Sequence, residues 1–233
     1  MNVFKFGGAS VKDAASVKNL AKVLKHEGVD KTLVIISAMG KMTNAFEKIV
    51  AAYLNKTSDL EKSIESVKLF HETILESLFK NKKHNAFLKA EGLFKQLNRF
   101  LKESKSTDYN FVYDQIVPYG EMLSTNIVSQ YLLDIGVENN WLDVREFIKT
   151  DSSYRDAKVD WALTENQITK NIDTSKLNIT QGFIGGYKKV TTTLGREGSD
   201  FTAAIFAYCL NAESVTIWKD VDGVLNADPR KFE

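Results

Sequence analysis

The chain has 233 residues, of which 43% are hydrophobic and 26% charged, and its formal net charge is +1. This length and composition are typical of a globular protein with one large domain or two tight lobes. The near-neutral charge gives no electrostatic reason to expect nucleic acid or an anionic membrane as a partner. The single cysteine, Cys209, excludes an internal disulfide, and no apolar run approaches the ~20 residues of a membrane span. Since the N-terminus also lacks the pattern of a signal peptide, we expect a cytoplasmic protein.

The first forty residues predict a strand, a helix and a second strand. Val3–Phe6 is apolar except for Lys5, and it is followed at once by Gly7 and Gly8. Apolar residues then recur at helical spacing, and residues 33–36 form a continuous apolar run of the kind found in parallel strands covered on both faces. Because strand, helix and strand in this order form a crossover unit, we predict an α/β fold.

Residues 45–105 are rich in Lys, Glu and Leu and contain no proline, which predicts a long helical segment with a solvated lysine face. Thr43 or Asn44 is expected to cap its first helix. The three histidines are predicted to lie at the surface. Farther along, the patterns predict helices at 121–135, 162–172 and about 201–210, and strands at 139–144, 177–183, 190–193 and 214–218.

A phosphate-holding site is predicted where the first strand ends. A lone Lys5 in a buried strand is costly unless it meets a counter-charge. Gly7 and Gly8 allow backbone N–H groups to approach a ligand without obstruction by a side chain. A helix that begins near residues 10–13 would point its positive N-terminus the same way. These features together predict a place for a phosphate or a transferring phosphoryl group.

The segment Gly195–Asp200 lies at a predicted strand-to-helix turn and is the second candidate site. Arg196 could hold a carboxylate through two parallel hydrogen bonds, and Asp200 would place a carboxylate at the helix start. The alternative is a local ion pair between Arg196 and Glu197, with Asp200 as an ordinary N-terminal cap. Both interpretations stay open on the residues alone.

Three further places carry candidate binding residues. Lys219–Gly223 follows a strand end, where ligands gather in open α/β sheets. There Asp220 or Asp222 could orient a lysine, hold Mg²⁺ indirectly or contact a ribose, or simply belong to a surface turn. Glu121 either complements a helix dipole or accepts from a substrate ammonium group. Ser37 and Thr43 either hydrogen-bond a substrate carboxylate or cap a helix.

Taken together, these segments resemble the aspartokinases within the amino acid kinase family. The similar elements, in family order, are Lys5–Val11, Met42–Asn44, Gly120–Glu121, Gly195–Asp200, Trp218–Gly223 and Asp228–Arg230. The resemblance implies a three-layer α/β sandwich with a mostly parallel central sheet and a helical insertion at about 45–105. It also implies that residues 1–233 form the catalytic domain, shortened at its C-terminal end and without an ACT regulatory domain.

The activity implied by the resemblance is ATP-dependent phosphorylation of the side-chain carboxylate of L-aspartate. This reaction is the first step toward lysine, threonine and methionine. The expected ligands are L-aspartate and ATP with Mg²⁺, no side chain is assigned as a metal ligand, and a homodimer is compatible with the sequence. Two alternatives stay open: a kinase of the same family that acts on glutamate or a nucleotide, and a non-catalytic ligand-binding fragment of an aspartokinase.

The resemblance also assigns roles to individual residues. The catalytic set is Lys5, Gly8 and Asp200; the substrate-binding set is Ser37, Thr43, Glu121, Arg196 and Ser199; and the nucleotide-binding set is Lys5, Gly7, Gly8, Lys219, Asp220, Leu225 and Arg230. Three positions, Ala9, Glu197 and Lys219, depart from the family's pattern. Of these, Glu197 stands where the family has glycine and places a negative charge beside Arg196.

Overall fold

The computed structural model describes residues 1–219, in which five consecutive helices separate the second strand from the third. The strands are β1 (Asn2–Phe6), β2 (Thr32–Ile36), β3 (Asn140–Leu142), β4 (Asn178–Gln181), β5 (Ile184–Tyr187), β6 (Val190–Thr193) and β7 (Ser214–Trp218). The α-helices are α1 (Ala14–Glu27), α2 (Met42–Asn55), α3 (Asp59–Leu78), α4 (Asn85–Glu103), α5 (Tyr109–Ile116), α6 (Tyr119–Asp134), α7 (Val144–Phe147), α8 (Trp161–Asn171) and α9 (Gly198–Cys209).

Within residues 1–219, five parallel strands form a sheet in the order β3-β4-β2-β1-β7. Strands β5 and β6 form a separate antiparallel hairpin. All five residues of β2 are buried, as expected for an apolar strand at the centre of a sheet covered on both faces. The predicted α/β class with a parallel sheet is therefore confirmed.

The alternation of side chains along β1 shows how the layers are arranged. Phe6 points to one face, where its ring stacks on Trp218 at 5.9 Å between ring centres. Leu20 of α1 lines a surface depression on this face together with Phe6 and Trp218. Lys5 points to the other face and meets Asp200 of α9. Because helices cover both faces, the predicted three-layer sandwich is confirmed.

The long helical segment is also confirmed, since α2, α3 and α4 occupy residues 42–103 with short breaks. The prediction that all three histidines lie at the surface is wrong for His71, which is fully buried among aromatic rings of Phe46, Phe70 and Phe94. Its Nδ1 lies 2.8 Å from the carbonyl oxygen of Val67, and burial lowers the pKa of His71 to about 4. Residue 71 follows Val67 by four positions, so it falls on the apolar stripe of α3.

Three helix starts differ from the predictions by two residues or more, and one of them is α6, which begins at Tyr119 rather than at residue 121. Helix α2 begins at Met42 with Lys41 at the cap position, so neither Thr43 nor Asn44 caps it. Helix α9 begins at Gly198, three residues before the predicted start, which places Ser199 and Asp200 in its first turn. Among residues 1–219, we find no helix with the length and apolar character needed to cross a bilayer.

Candidate functional site

A cleft of about 380 Å³ opens at the edge of the sheet where β1, β2 and β4 end. Parallel strands present their carboxyl ends at one edge, so the segments that follow them converge there. The cleft is lined by Lys5, Ser37, Thr43, Tyr113, Glu121, Arg155, Phe183, Thr193, Gly195, Arg196, Glu197, Gly198, Ser199 and Asp200.

Lys5 and Asp200 form an ion pair at the base of this cleft. Lys5 is only 6% exposed, and its Nζ lies 2.6 Å from Asp200 Oδ1, although without the angles of a regular hydrogen bond. The second oxygen, Oδ2, lies 3.5 Å from Lys219 Nζ. Burial by itself would raise the pKa of Asp200, but Lys5 and Lys219 outweigh it and hold that pKa below its usual value. The counter-charge that a buried Lys5 requires is therefore the carboxylate of α9.

Glu121 is a buried carboxylate in the first turn of α6. It is 2% exposed, and its Oε1 accepts a hydrogen bond of 3.2 Å from the Ala38 N–H. Its Oε2 has no hydrogen-bond partner among residues 1–219. Burial raises the pKa of Glu121 to about 8, against the opposing effect of the Ala38 N–H. A buried acid with an unpartnered oxygen facing a cleft is suited to accept a hydrogen bond from a ligand.

The turn between β6 and α9 presents Arg196 and Glu197 at the surface of the cleft. Glu197 adopts the left-handed conformation, with φ of 55°. Gly198 allows the turn to approach Phe183, because a Cβ at this position would lie 2.8 Å from the Phe183 ring. In the part of the chain that the structure describes, neither Arg196 nor Glu197 forms an ion pair, so the alternative of a local Arg196–Glu197 pair is wrong.

Comparison with known proteins shows which family this chain belongs to. The model of the amino acid kinase family matches residues 1–233. The chain belongs to the amino acid kinase family. It is 33% identical over 234 residues to lysine-sensitive aspartokinase 3 of Escherichia coli K12, covering 98% of this chain and 51% of that protein. It is 30% identical over 242 residues to the chloroplastic bifunctional aspartokinase/homoserine dehydrogenase 2 of Arabidopsis thaliana, covering 99% of this chain and 26% of that protein.

Solved structures give the same picture for this member of the amino acid kinase family. The crystal structure of E. coli aspartokinase III with lysine and aspartate matches with a TM-score of 0.87 and 31% identity, covering 99% of this chain and 52% of that one. The structure of the same E. coli enzyme with aspartate and ADP also matches with a TM-score of 0.87. The chain thus spans about a quarter of the length of the Arabidopsis relative and about half of the length of the E. coli relative.

The cleft brings together most of the site residues predicted for this amino acid kinase from its sequence. Seven of them line it: Lys5, Ser37, Thr43, Glu121, Arg196, Ser199 and Asp200. Lys219 joins them through its contact with Asp200. Gly7 and Gly8 lie in the turn directly after β1. The three remaining predicted residues, Asp220, Leu225 and Arg230, lie outside the described residues.

Gly7 and Gly8 have different roles in the structure. The Gly7 N–H donates to the Trp218 carbonyl oxygen over 3.4 Å. At Gly8, a Cβ would lie 2.8 Å from the carbonyl oxygens of both Ala38 and Gly40, so the loop after β2 packs directly on this residue. Gly8 therefore has a packing role that its sequence context did not reveal. Helix α1 begins at Ala14, close to the predicted start, and the Asp13 carboxylate at its cap accepts the N–H of Ser16.

Gly8→Ala is expected to lower the free energy of unfolding by about 2 kcal/mol, the usual size of an overpacking effect. The added methyl group must displace the backbone of the loop after β2, which also carries Ser37 into the cleft. Chemical denaturation measures this effect. Gly92→Ala is the matched control, because nothing lies within 4 Å of a Cβ at that helical position and alanine there is expected to stabilise slightly. Equal stability of Gly8→Ala and the unsubstituted protein would contradict the packing role.

Sequence reasoning missed a group of residues on and around α5. Asp114 is fully buried and accepts hydrogen bonds from the Thr193 N–H at 2.8 Å, the Thr193 hydroxyl at 2.7 Å and the Arg155 N–H at 3.0 Å. Tyr113 donates to Glu47 Oε1 at 3.1 Å. The one available signal was an acid inside the apolar run 111–117, since such an acid needs several donors.

Proposed function

We propose that this chain is the catalytic domain of an aspartate kinase, which transfers the γ-phosphoryl group of ATP to the side-chain carboxylate of L-aspartate and produces 4-phospho-L-aspartate. The observation that carries the proposal is that one cleft brings together the buried Lys5 with its Asp200 partner, the guanidinium of Arg196 and the buried carboxyl group of Glu121. The similar E. coli structure is a complex with aspartate and ADP, which supports L-aspartate and ATP as the substrates here.

The charges in the cleft suit an α-amino acid that carries a carboxylate side chain. Arg196 would bind the α-carboxylate, since a guanidinium matches a carboxylate through paired hydrogen bonds. Glu121 would accept from the ammonium group through its unpartnered Oε2. The hydroxyls of Ser37, Thr43 and Ser199 would complete the pocket. This placement directs the side-chain carboxylate of the substrate toward Lys5.

Lys5 would neutralise charge on the transferring phosphoryl group. Phosphoryl transfer depends mainly on positioning and on stabilising charge, which a buried and oriented cation provides without reorganisation. Asp200 keeps the Lys5 ammonium at the end of β1, and the Gly8 N–H would assist at the same position. In this proposal Asp200 positions Lys5 rather than acting as a base.

The nucleotide would lie on the Lys219 side of the cleft. Lys219 is 3.5 Å from Asp200, and the other residues proposed for this role, Asp220, Leu225 and Arg230, follow it in the chain. A Mg²⁺ ion that enters with the nucleotide would take Asp200 as its protein carboxylate, since proteins often hold Mg²⁺ through one or two carboxylates together with substrate phosphates. No cluster of three His, Cys, Asp or Glu side chains exists in residues 1–219, so the ion would depend on the nucleotide for most of its ligands. Mg²⁺ would supply charge neutralisation on the phosphates.

A cytoplasmic location is part of this proposal, because the only cysteine is buried in α9 and is not used in a disulfide. Residues 1–233 are proposed as one catalytic domain.

A coupled assay of ADP release, with L-aspartate, L-glutamate and UMP as acceptors, tests the proposal. We expect turnover with L-aspartate and at least tenfold less with the other two. Activity with UMP alone would overturn the assignment of substrate. Binding of L-aspartate and ATP in calorimetry without any ADP release would instead favour a ligand-binding fragment over an enzyme.

A further inference from the structure

The cleft contains a second guanidinium group, which belongs to Arg155 in the loop between α7 and α8. Arg155 is exposed, and no carboxylate in residues 1–219 forms an ion pair with it. It lines the same cleft as Arg196 and Glu197. Arg196 and Glu197 carry opposite charges. Arg155 therefore gives a net positive charge to the part of the cleft that these three residues line, which we call the arginine wall.

Two tyrosines of α5 hold the Arg155 side chain in place. Its guanidinium carbon lies 4.5 Å from the ring centre of Tyr113 and 5.2 Å from that of Tyr109. Such stacking orients a guanidinium but leaves its N–H donors free for another partner. Tyr113 is itself buried and donates its hydroxyl to Glu47, so the platform beneath the guanidinium is anchored.

The backbone of Arg155 is also held in an unusual conformation. Its φ is 70°, in the left-handed region that bulky side chains rarely adopt. The Arg155 N–H donates to the buried Asp114 carboxylate at 3.0 Å, and Gly195 packs against this loop, since a Cβ there would lie 3.4 Å from the Arg155 carbonyl oxygen. Strain of this kind persists where the surrounding structure imposes it, and it is concentrated at functional sites. The loop that carries Arg155 is thus packed directly on the turn that carries Arg196.

We propose that Arg155 is a second carboxylate-binding residue of the cleft, which acts together with Arg196 on the α-carboxylate of the amino-acid substrate. This inference rests on the proposed function and adds a residue to the same site. Arg155 and Arg196 approach from two segments in mutual contact, whereas the reacting carboxylate belongs at the Lys5 end. The positive charge that Arg155 adds to the arginine wall also offsets the negative charge that Glu197 places beside Arg196. Arg155 is therefore a determinant of affinity for the amino acid rather than of the chemical step.

Arg155→Asn tests the proposal, because asparagine removes the charge and accepts the left-handed conformation. The KM for L-aspartate is expected to rise about tenfold, the size of one charge-assisted contact, while kcat and the KM for ATP change less than twofold. Arg99→Asn is the matched control, since Arg99 is an exposed arginine on α4 that pairs with Glu103 far from the cleft residues. Thermal unfolding of both variants confirms that they are folded.

Competitive inhibition by L-asparagine identifies the carboxylate that Arg155 binds. L-Asparagine keeps the α-carboxylate but lacks the second one, so its inhibition constant is expected to rise about as much as the KM for L-aspartate. An increase for L-aspartate alone would assign Arg155 to the side-chain carboxylate and overturn this proposal. An unchanged KM for L-aspartate would overturn it as well, while leaving the proposed function intact. Absence of both aspartate binding and turnover in the unsubstituted protein would instead overturn the proposed function, and the inference with it.

Discussion

Lys5→Ala is expected to lower kcat with L-aspartate and ATP by about 10³-fold, comparable with the loss of one preorganised charge-stabilising group in other enzymes. Lys5 is the buried cation of the cleft, and water cannot replace its charge at a position that is only 6% exposed. The fold should persist, because Asp200 is half-buried and retains Lys219 at 3.5 Å. The ADP-release assay measures the loss, and circular dichroism with thermal unfolding checks the fold.

Two variants make the Lys5 result interpretable. Lys5→Met keeps the length of the side chain without its charge and should be as inactive as Lys5→Ala, which separates loss of charge from loss of packing. Lys18→Ala deletes an exposed lysine of α1 and should keep normal activity. If Lys5→Met or Lys5→Ala retained activity within tenfold of the unsubstituted protein, Lys5 would not be the group that stabilises the transferring phosphoryl.

The second large effect is a pH dependence of substrate binding that originates in Glu121. Its pKa is raised to about 8 by burial, so below this pH the carboxyl is mostly neutral and is a poor partner for an ammonium group. The KM for L-aspartate should therefore fall about tenfold per unit as the pH rises from 6 toward 8, and then level off. Steady-state kinetics at saturating ATP, measured across this range, give the profile.

Glu121→Gln is the control for this profile. Glutamine cannot ionise, so the variant should bind L-aspartate weakly at every pH and show no inflection near pH 8. The KM for ATP should not follow the profile in either protein. A profile in Glu121→Gln that matches the unsubstituted protein would assign the titration to another group.

The same pKa shift affects the stability of the ligand-free protein. In the folded state Glu121 retains its proton up to about pH 8, whereas the carboxyl of an exposed glutamate, as in the unfolded chain, ionises near pH 4.5. The folded state therefore binds the additional proton between these values, and the free energy of unfolding should decrease as the pH rises through this window. Glu121→Gln should remove that part of the decrease in a series of denaturation curves.

Local patterns were sufficient to predict the framework of the fold. The apolar runs of β1 and β2, with the periodic segment of α1 between them, indicated a parallel α/β sheet, because each pattern lies within a few neighbouring residues. Capping was predicted less well. Thr43 does not cap α2 and instead lines the cleft, since the cap position is Lys41 and the helix begins at Met42, before the predicted start.

Burial of polar groups was the least predictable property. His71 occurs in a lysine-rich helix, yet it is buried because neighbouring helices close over that face of α3. Asp114 and Arg155 carry no motif, and their importance follows from hydrogen bonds to segments distant in the chain. A pattern confined to one helix does not indicate which helix will cover it.

The sequence by itself determined that a lysine ends a buried strand, that glycines follow it, and that an arginine and an acid occupy a later strand-to-helix turn, because these are local arrangements of residue type. Only the tertiary structure decided how they act together. The Ala38 N–H meets Glu121 across 83 residues of chain, and Asp114 meets Thr193 across 79. Contacts over such separations depend on the packing of whole helices and strands, and that packing buries Glu121, aligns Lys5 with Asp200 and brings Arg155 to the cleft.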